Sequence, residues 1–116
     1  MSEKELRNIP GLKEDDVFVI KKFSFKERLK LKQKSMRISL DPVSGKQDGF
    51  IDLAELQKWT VIYGIKKCPL FAEDATEDVK EKALLKDSFP ASAGEYLFQQ
   101  INEFNNFADI KNLQKK

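Results

Sequence analysis

The amino-acid sequence predicts a single, mainly α domain of about four helices, with one short strand or hairpin near the N-terminus. A length of 116 residues suits one domain with one core. Hydrophobic residues make up 41% and charged residues 34%, which is typical of a globular chain and not of a disordered one. Four segments begin with a helix-capping pattern and continue with apolar residues at helical spacing.

The first 16 residues form a mixed-charge stretch that contains Pro10-Gly11 and has no sustained apolar period. We therefore predict a flexible lead-in over residues 1–16. The apolar, β-branched run at residues 17–20 is too short for a free helix and predicts a strand. The helical domain is expected to span residues 17–108, and residues 109–116 a frayed C-terminal tail.

The first helix is predicted by the S-x-x-E capping box that begins at Ser24. The helix should start at Phe25, with Leu29 and Met36 near the same face as Phe25. It should end near Ser39, because the proline that follows in the loop disfavours helix at the residue before it.

Three further helices follow from the same kind of signal. Asp52 and Glu55 repeat the capping arrangement, and the helix after them should run to Gly64. Thr76 should cap a short helix that ends at the dipeptide Phe89-Pro90. Ser92 and Glu95 should cap a last helix whose apolar stripe comprises Leu97, Ile101, Phe104 and Ala108.

Composition excludes several classes of function. The chain has no histidine and one cysteine, so Ser-His-Asp and Cys-His catalysis and the usual zinc sites are excluded, and Cys68 has no imidazole to activate it. We predict a protein that is not an enzyme and binds no cofactor. Apolar runs fall short of the roughly 18 residues that span a membrane, and the N-terminus lacks a signal-peptide core. We expect a cytoplasmic protein without a membrane partner.

Half of a calcium-binding loop lies before the second helix. Asp48, Gly49, Ile51, Asp52 and Glu55 fit the second half of the EF-hand pattern in register. The first half does not fit, because a serine and a lysine stand where the first two ligands belong, and an ammonium group repels calcium. We therefore interpret the segment as a turn and a helix cap and predict no metal, with a degenerate calcium-binding protein as an alternative.

Charge is unevenly distributed. Residues 21–37 hold eight basic residues against one acidic residue, a net +7, while the whole chain is only +2. A basic face at Lys26, Lys30, Lys34 and Arg37 and an acidic face at Glu73, Asp74, Glu77, Asp78 and Glu81 suit head-to-tail self-association. A small nucleic-acid-binding regulator is the main alternative, although the acidic segment makes nucleic acid an unfavoured partner.

Phenylalanine is the other unusual feature, with nine Phe against one Trp and two Tyr. Phe98 lies about 100° from Leu97 around the last helix, which places it off the predicted core stripe. Phe98 and Phe107 on the last helix and Trp59 on the second are the candidate anchors of a partner-binding surface.

Two motifs carry a family resemblance. A short strand precedes the helix start FSFKER at Phe23 to Arg28, and a polar turn ends in GFIDL at Gly49 to Leu53 before the second helix. This order resembles the tail assembly chaperones of long-tailed phages, in particular the small, mainly helical proteins of lactococcal siphophages. The resemblance covers roughly residues 16–107.

The resemblance implies a non-enzymatic function in the host cytoplasm. Such a chaperone binds the long, helical tape measure protein, keeps it soluble and helps the tail tube polymerise around it. Family members also self-associate, so a homo-oligomer in the form of a ring or spiral is expected. Client binding would use an apolar groove that takes amphipathic helices.

Overall fold

Four helices and five strands make up the computed structural model, which describes residues 2–40, 42–45 and 47–106; the side chains of residues 38–40, 47 and 48 lie outside that description. The elements in chain order are β1 (Glu3–Leu6), β2 (Phe18–Lys21), α1 (Phe25–Ser35), β3 (Met36–Leu40), β4 (Gln47–Ile51), α2 (Leu53–Gly64), β5 (Ile65–Lys67), α3 (Glu77–Leu84) and α4 (Ala91–Phe104). The four predicted helices are confirmed. The fold is nevertheless α/β, because two antiparallel sheets accompany the helices where one strand or hairpin was expected.

The N-terminal segment belongs to the fold, so the predicted flexible lead-in over residues 1–16 is wrong. Strand β1 pairs antiparallel with β2 from Glu3↔Lys21 to Leu6↔Phe18. Leu6 and Ile9 are 4% and 2% exposed and belong to the hydrophobic core. Two isolated apolar residues among charged neighbours show no periodicity, yet their burial holds this segment against the domain.

Strand β2 is the centre of the three-stranded sheet, whose strand order is β1-β2-β5. Its side chains alternate as a half-buried strand requires, with Phe18 and Ile20 in the core. Strand β5 follows α2 directly and completes the sheet on the other side of β2. The sheet therefore places β1 and β5, the first and last strands of residues 3–67, on the two sides of β2. Helix α2, which leads into β5, lies against the core.

Helix α1 is shorter than predicted, because a β-hairpin replaces its last turn. The helix ends at Ser35 and not near Ser39, and strands β3 and β4 pair from Met36↔Ile51 to Leu40↔Gln47. The backbone N–H of Asp52 donates to the carbonyl of Ser35 at 2.7 Å, which ties the start of α2 to the end of α1. Strand pairing with a segment beyond the loop thus overrides the helical pattern of Met36 to Ser39.

Helices α2 and α4 form the centre of the core. Ile62 on α2 and Leu97 and Ile101 on α4 are at most 1% exposed. The two helices approach closely at Gly64, where a Cβ atom would lie 2.6 Å from Cγ2 of Ile101. The predicted stripe of α4 is confirmed for Leu97 and Ile101, Phe104 is partly buried against the core, and Ala108 lies outside the described residues.

The predicted caps had different outcomes. The Thr76 hydroxyl accepts from the backbone N–H of Val79 at 3.3 Å, which confirms the cap of α3, but α3 ends at Leu84, before the predicted Phe89-Pro90 stop. The predicted Ser92–Glu95 cap of α4 is wrong. Pro90 is the N-cap residue, and the Ser92 hydroxyl donates to the carbonyl of Pro10 at 3.3 Å. Gly11, at φ 85°, packs its backbone against the side chain of Pro90, so the N-terminal segment lies against the start of α4.

Candidate functional site

The segment that resembles a calcium loop builds the start of α2. The Asp52 carboxylate accepts from the backbone N–H of Glu55 at 3.2 Å, which confirms the predicted cap. The Glu55 carboxylate does not return to the cap residue; it accepts from Nε1 of Trp59 at 2.8 Å and pairs with Lys58 at 3.1 Å. These hydrogen bonds from Lys58 and Trp59 lower the pKa of Glu55. Within the described ranges no cluster of His, Cys, Asp and Glu suits a metal ion.

Trp59 is a core residue and does not provide the exposed ring that the sequence predicted. Its side chain is 6% exposed, and its ring packs on that of Tyr63 at 5.5 Å. The ammonium groups of Lys34 and Lys58 lie 4.5 and 5.1 Å from the ring centroid and cover it from outside. Lys34 belongs to α1, so Trp59 lies on the side of α2 that faces α1, which periodicity alone could not reveal.

The other two candidate anchors lie on or beyond α4. Phe98 is partly buried and packs against the hydrophobic core. Phe107 lies outside the described residues. Phe98 thus lies at the boundary between the core and the surface.

Lysines within the chain pair with three carboxylates of the acidic face, and one of these lysines belongs to the basic face. Lys30 on α1 pairs with Glu77 on α3 at 3.4 Å, although 47 residues separate them. Lys58 pairs with Glu81 at 2.7 Å, and Lys66 pairs with Glu73 at 3.7 Å. The acidic segment therefore serves as an internal counterpart of these three lysines, and at such exposure each pair stabilises the fold only weakly.

The remaining charges of the two faces are exposed or locally paired. Arg37 lies 3.9 Å from the Asp52 carboxylate, and Asp78 pairs with Lys82 at 3.1 Å one turn along α3. Lys26 and Asp74 are exposed.

Burial, together with the negative charge of Glu77, raises the pKa of Tyr63 to about 12. The phenol of Tyr63 donates a hydrogen bond to the Glu77 carboxylate at 3.2 Å.

An apolar cleft opens between α2, α3 and α4. Its volume is about 310 Å³. Its apolar lining comprises Ala54 and Val61 from α2, Leu84 and Leu85 from the end of α3, Phe89 from the loop, and Ala91 from α4. Lys58 and Glu95 provide its charged rim. The small residues at positions 54, 91 and 94 leave the space open. They were visible in the sequence, but a search for large apolar residues at helical spacing overlooks them.

Phe98 lies on the same face of α4 as the cleft. Ala91, Glu95 and Phe98 follow one another at spacings of four and three residues, which are neighbours on one side of a helix. The predicted anchor Phe98 is therefore adjacent to the cleft in the direction of the C-terminus, whereas Trp59 is not among the lining residues.

A second apolar surface lies on α1, on a different side from its buried residues. Phe25 and Leu29 on α1, together with Met36 at the start of β3, form what we call the outer stripe, and they are 78%, 43% and 45% exposed. The sequence predicted this shared face but not its exposure. Leu31 and Ser35 are the buried residues of α1, and the Ser35 hydroxyl donates to the carbonyl of Leu31 at 2.7 Å.

Asn105 is a structural residue that sequence reasoning missed. Its Oδ1 accepts from the backbone N–H of Phe23 at 2.7 Å, and its Nδ2 donates to the carbonyls of Lys21 at 3.1 Å and Ile101 at 3.0 Å. At 5% exposure it joins the end of α4 to the entry of α1. The signal available was only a polar residue after the last apolar position of a helix, which is common.

Comparison with known proteins gave no match, whether to a family model, to a curated protein or to a solved structure. None of the helices among the described residues is long and apolar enough to cross a membrane.

Cys68 is buried, and this burial raises the pKa of its thiol. The thiol is therefore held in its protonated, unreactive form.

Proposed function

We propose that this chain is a non-enzymatic tail assembly chaperone of long-tailed phages, which binds and solubilises the tape measure protein in the host cytoplasm before the tail tube polymerises. The cleft between α2, α3 and α4 is the observation that carries the proposal. Its walls are mainly aliphatic and aromatic, and charged groups stand at its rim. A groove of this kind takes the apolar face of an amphipathic helix, the type of segment that a long helical client offers repeatedly.

The resemblance to these chaperones rests on two local motifs, and both have structural roles. The box at Ser24 and Glu27 starts α1, and Asp52 starts α2. They position the helices on which the cleft and the outer stripe are built. Self-association into a ring or spiral belongs to the same proposal. Its contacts would be mainly apolar, because Lys30, Lys58 and Lys66 already take up three carboxylates of the acidic face.

The cleft can be tested with a matched pair of variants, one within α3 and one at its C-cap. Leu85 lines the cleft and is 59% exposed, whereas Val79 is 49% exposed and is not a lining residue. Leu85→Arg places a charge where an apolar client side chain would bind, and Val79→Arg adds the same charge elsewhere. Phe98 is less suitable, because it also packs against the core.

The experiment is co-expression with the tape measure protein of the same phage. Wild type and Val79→Arg should keep the client in the soluble fraction and co-purify with it, and Leu85→Arg should lose most of the client while its helical circular dichroism is unchanged. An insoluble client with all three proteins would reject the chaperone proposal. Equal solubilisation by all three would place the client outside the cleft.

A further inference from the structure

The outer stripe of α1 is an ordered apolar surface that no other described element covers. At about 100° per residue, Phe25 and Leu29 lie about 40° apart around α1, and Met36 follows the last turn as the C-cap residue and the first residue of β3. The exposed fractions of 78%, 43% and 45% leave most of Phe25 and nearly half of Leu29 and Met36 in water. A different side of α1 holds Leu31 and Ser35 against the core, so the helix does not need the stripe for its own packing.

The lysines of α1 divide in the same way. On the core side, Lys30 pairs with Glu77 at 3.4 Å, and Lys34 covers the ring of Trp59 at 4.5 Å. Lys26 and Lys32 flank the outer stripe on either side, and both are exposed. Across the described part of the chain no carboxylate lies within ion-pair distance of these two. The inner cations are satisfied within the chain and the outer ones are not.

We infer that the outer stripe is a docking surface for an acidic amphipathic helix of another protein. The apolar face of such a helix would cover Phe25, Leu29 and Met36, and carboxylates on its two flanks would meet Lys26 and Lys32. Charge complementarity identifies the occupant, because cations beside an apolar stripe favour an acidic partner and repel a basic one.

A second copy of this chain is a poorer fit to the same surface. The most acidic helix of the chain is α3, and its carboxylates are already engaged: Glu77 with Lys30, Glu81 with Lys58, and Asp78 with Lys82. A homo-oligomer through the stripe would have to break these ion pairs or leave the outer lysines without acidic partners. A different protein carries no such cost. The docking surface on α1 is independent of the cleft and of the client proposed for it.

The test uses two designed peptides and purified full-length protein. Each peptide has about 18 residues, enough to form a helix, with leucines at helical spacing. One has glutamates on both flanks of the leucine stripe, and its twin has lysines at those positions. Binding is measured by fluorescence anisotropy of the labelled peptide at low and at high salt.

The acidic peptide should bind, the lysine twin should not, and high salt should weaken the complex. Phe25→Asp and Lys26→Glu should each weaken binding about tenfold or more. Lys13→Glu has the same change of charge at an exposed site outside α1 and should leave the affinity unchanged. Circular dichroism of each variant verifies that the protein is folded.

Four results would overturn the inference. The acidic peptide fails to bind; both peptides bind equally; Phe25→Asp, although folded, binds like wild type; or Lys13→Glu weakens binding as much as Lys26→Glu, which would reduce the effect to overall charge. Two further measurements address other occupants. Analytical ultracentrifugation that finds a dimer lost in Phe25→Asp would assign the stripe to a second copy, and tight sedimentation with phosphatidylserine vesicles would assign it to a membrane surface.

Discussion

Helices α1 and α4 each carry one continuous apolar stripe, and the two stripes lie in opposite environments. Ala93, Leu97 and Ile101 on α4 are completely buried, whereas Phe25 and Leu29 on α1 are exposed. Gly64 of α2 allows α4 to approach closely, while α1 meets the core through Leu31 and the small Ser35. Apolar spacing thus identifies a stripe, but it does not tell whether the stripe faces the core or the solvent.

The ends of the two helices show the reverse contrast. Helix α1 has a complete capping box, in which Ser24 accepts from the N–H of Glu27 and Glu27 accepts from the N–H of Ser24 at 2.9 Å. Helix α4 has no side-chain cap and starts at a proline. Helix α1 is therefore stabilised to a larger extent at its end, and α4 by the burial of its face.

The largest expected effect comes from truncating a leucine in each stripe. Leu97→Ala should lower the free energy of unfolding by about 2–5 kcal/mol, because it leaves a cavity in the core. Leu29→Ala should change it by no more than about 0.5 kcal/mol, because a solvated side chain is removed from a helix that favours alanine. Urea denaturation followed by circular dichroism measures both. Similar losses in the two variants would show that the outer stripe supports the fold.

The second-largest effect should come from the hydrogen bonds by which Asn105 joins the end of α4 to the segment before α1. Asn105→Ala removes the acceptor for the buried N–H of Phe23 and the donor to two carbonyls, so the unfolding free energy should fall by about 1–3 kcal/mol. Gln99→Ala, at an exposed position of α4, is the control and should cost less than about 0.5 kcal/mol. If the Asn105 variant is as stable as this control, water replaces the hydrogen bonds of Asn105 with no loss of stability.

A matched pair of serines tests the contrast between the helix ends. Ser24→Ala should cost about 1 kcal/mol through the lost cap of α1. Ser92→Ala should cost less than about 0.5 kcal/mol, because its hydroxyl makes one exposed bond to Pro10 and caps nothing. If Ser92→Ala proves the more damaging, the N-terminal segment is held to α4 mainly by that bond.

The smallest effect is a pH dependence at the start of α1. Burial raises the pKa of Glu27, but the hydrogen bonds from Lys21, at 2.5 Å, and from the cap lower it further, so the net pKa lies below the ordinary glutamate value. Its stabilisation is therefore complete above the pKa of the unfolded chain, about 4.3, and is lost as pH falls through the lower folded value. The stability difference between wild type and Glu27→Gln should narrow between pH 7 and about pH 3. A difference that stays constant would show that the charge of Glu27 contributes nothing.

Local signals were readable in the sequence, and non-local ones were not. At Ser24, Asp52 and Thr76 the side chain accepts a hydrogen bond from the backbone N–H three residues later. These helix starts can therefore be predicted from the local sequence alone. Strand β3 was predicted as the end of a helix, because only its pairing with β4 reveals it. Strand β1 was missed for the same reason.

The candidate site was predictable only in its ingredients. The basic and acidic segments were visible, but the pairing of Lys30 with Glu77 depends on the packing of α1 and α3 against the same helix, α2. Trp59 was predicted at the surface, because a helical wheel does not show that two lysines and Glu55 enclose its ring. The cleft arises from small residues on two helices, which no single-helix pattern brings together.

Thiol labelling tests the contrast between the two stripes most directly. Cys68 is first replaced by alanine, and Leu29→Cys or Leu97→Cys is then introduced, with circular dichroism as a check of folding. The thiol at position 29 should react with a soluble disulfide reagent as fast as an unhindered thiol, and the acidic peptide should slow it. The thiol at position 97 should react only when the core opens. Equal protection of the two thiols, or a rate at position 29 that the peptide does not change, would contradict an outer stripe that is free for a partner.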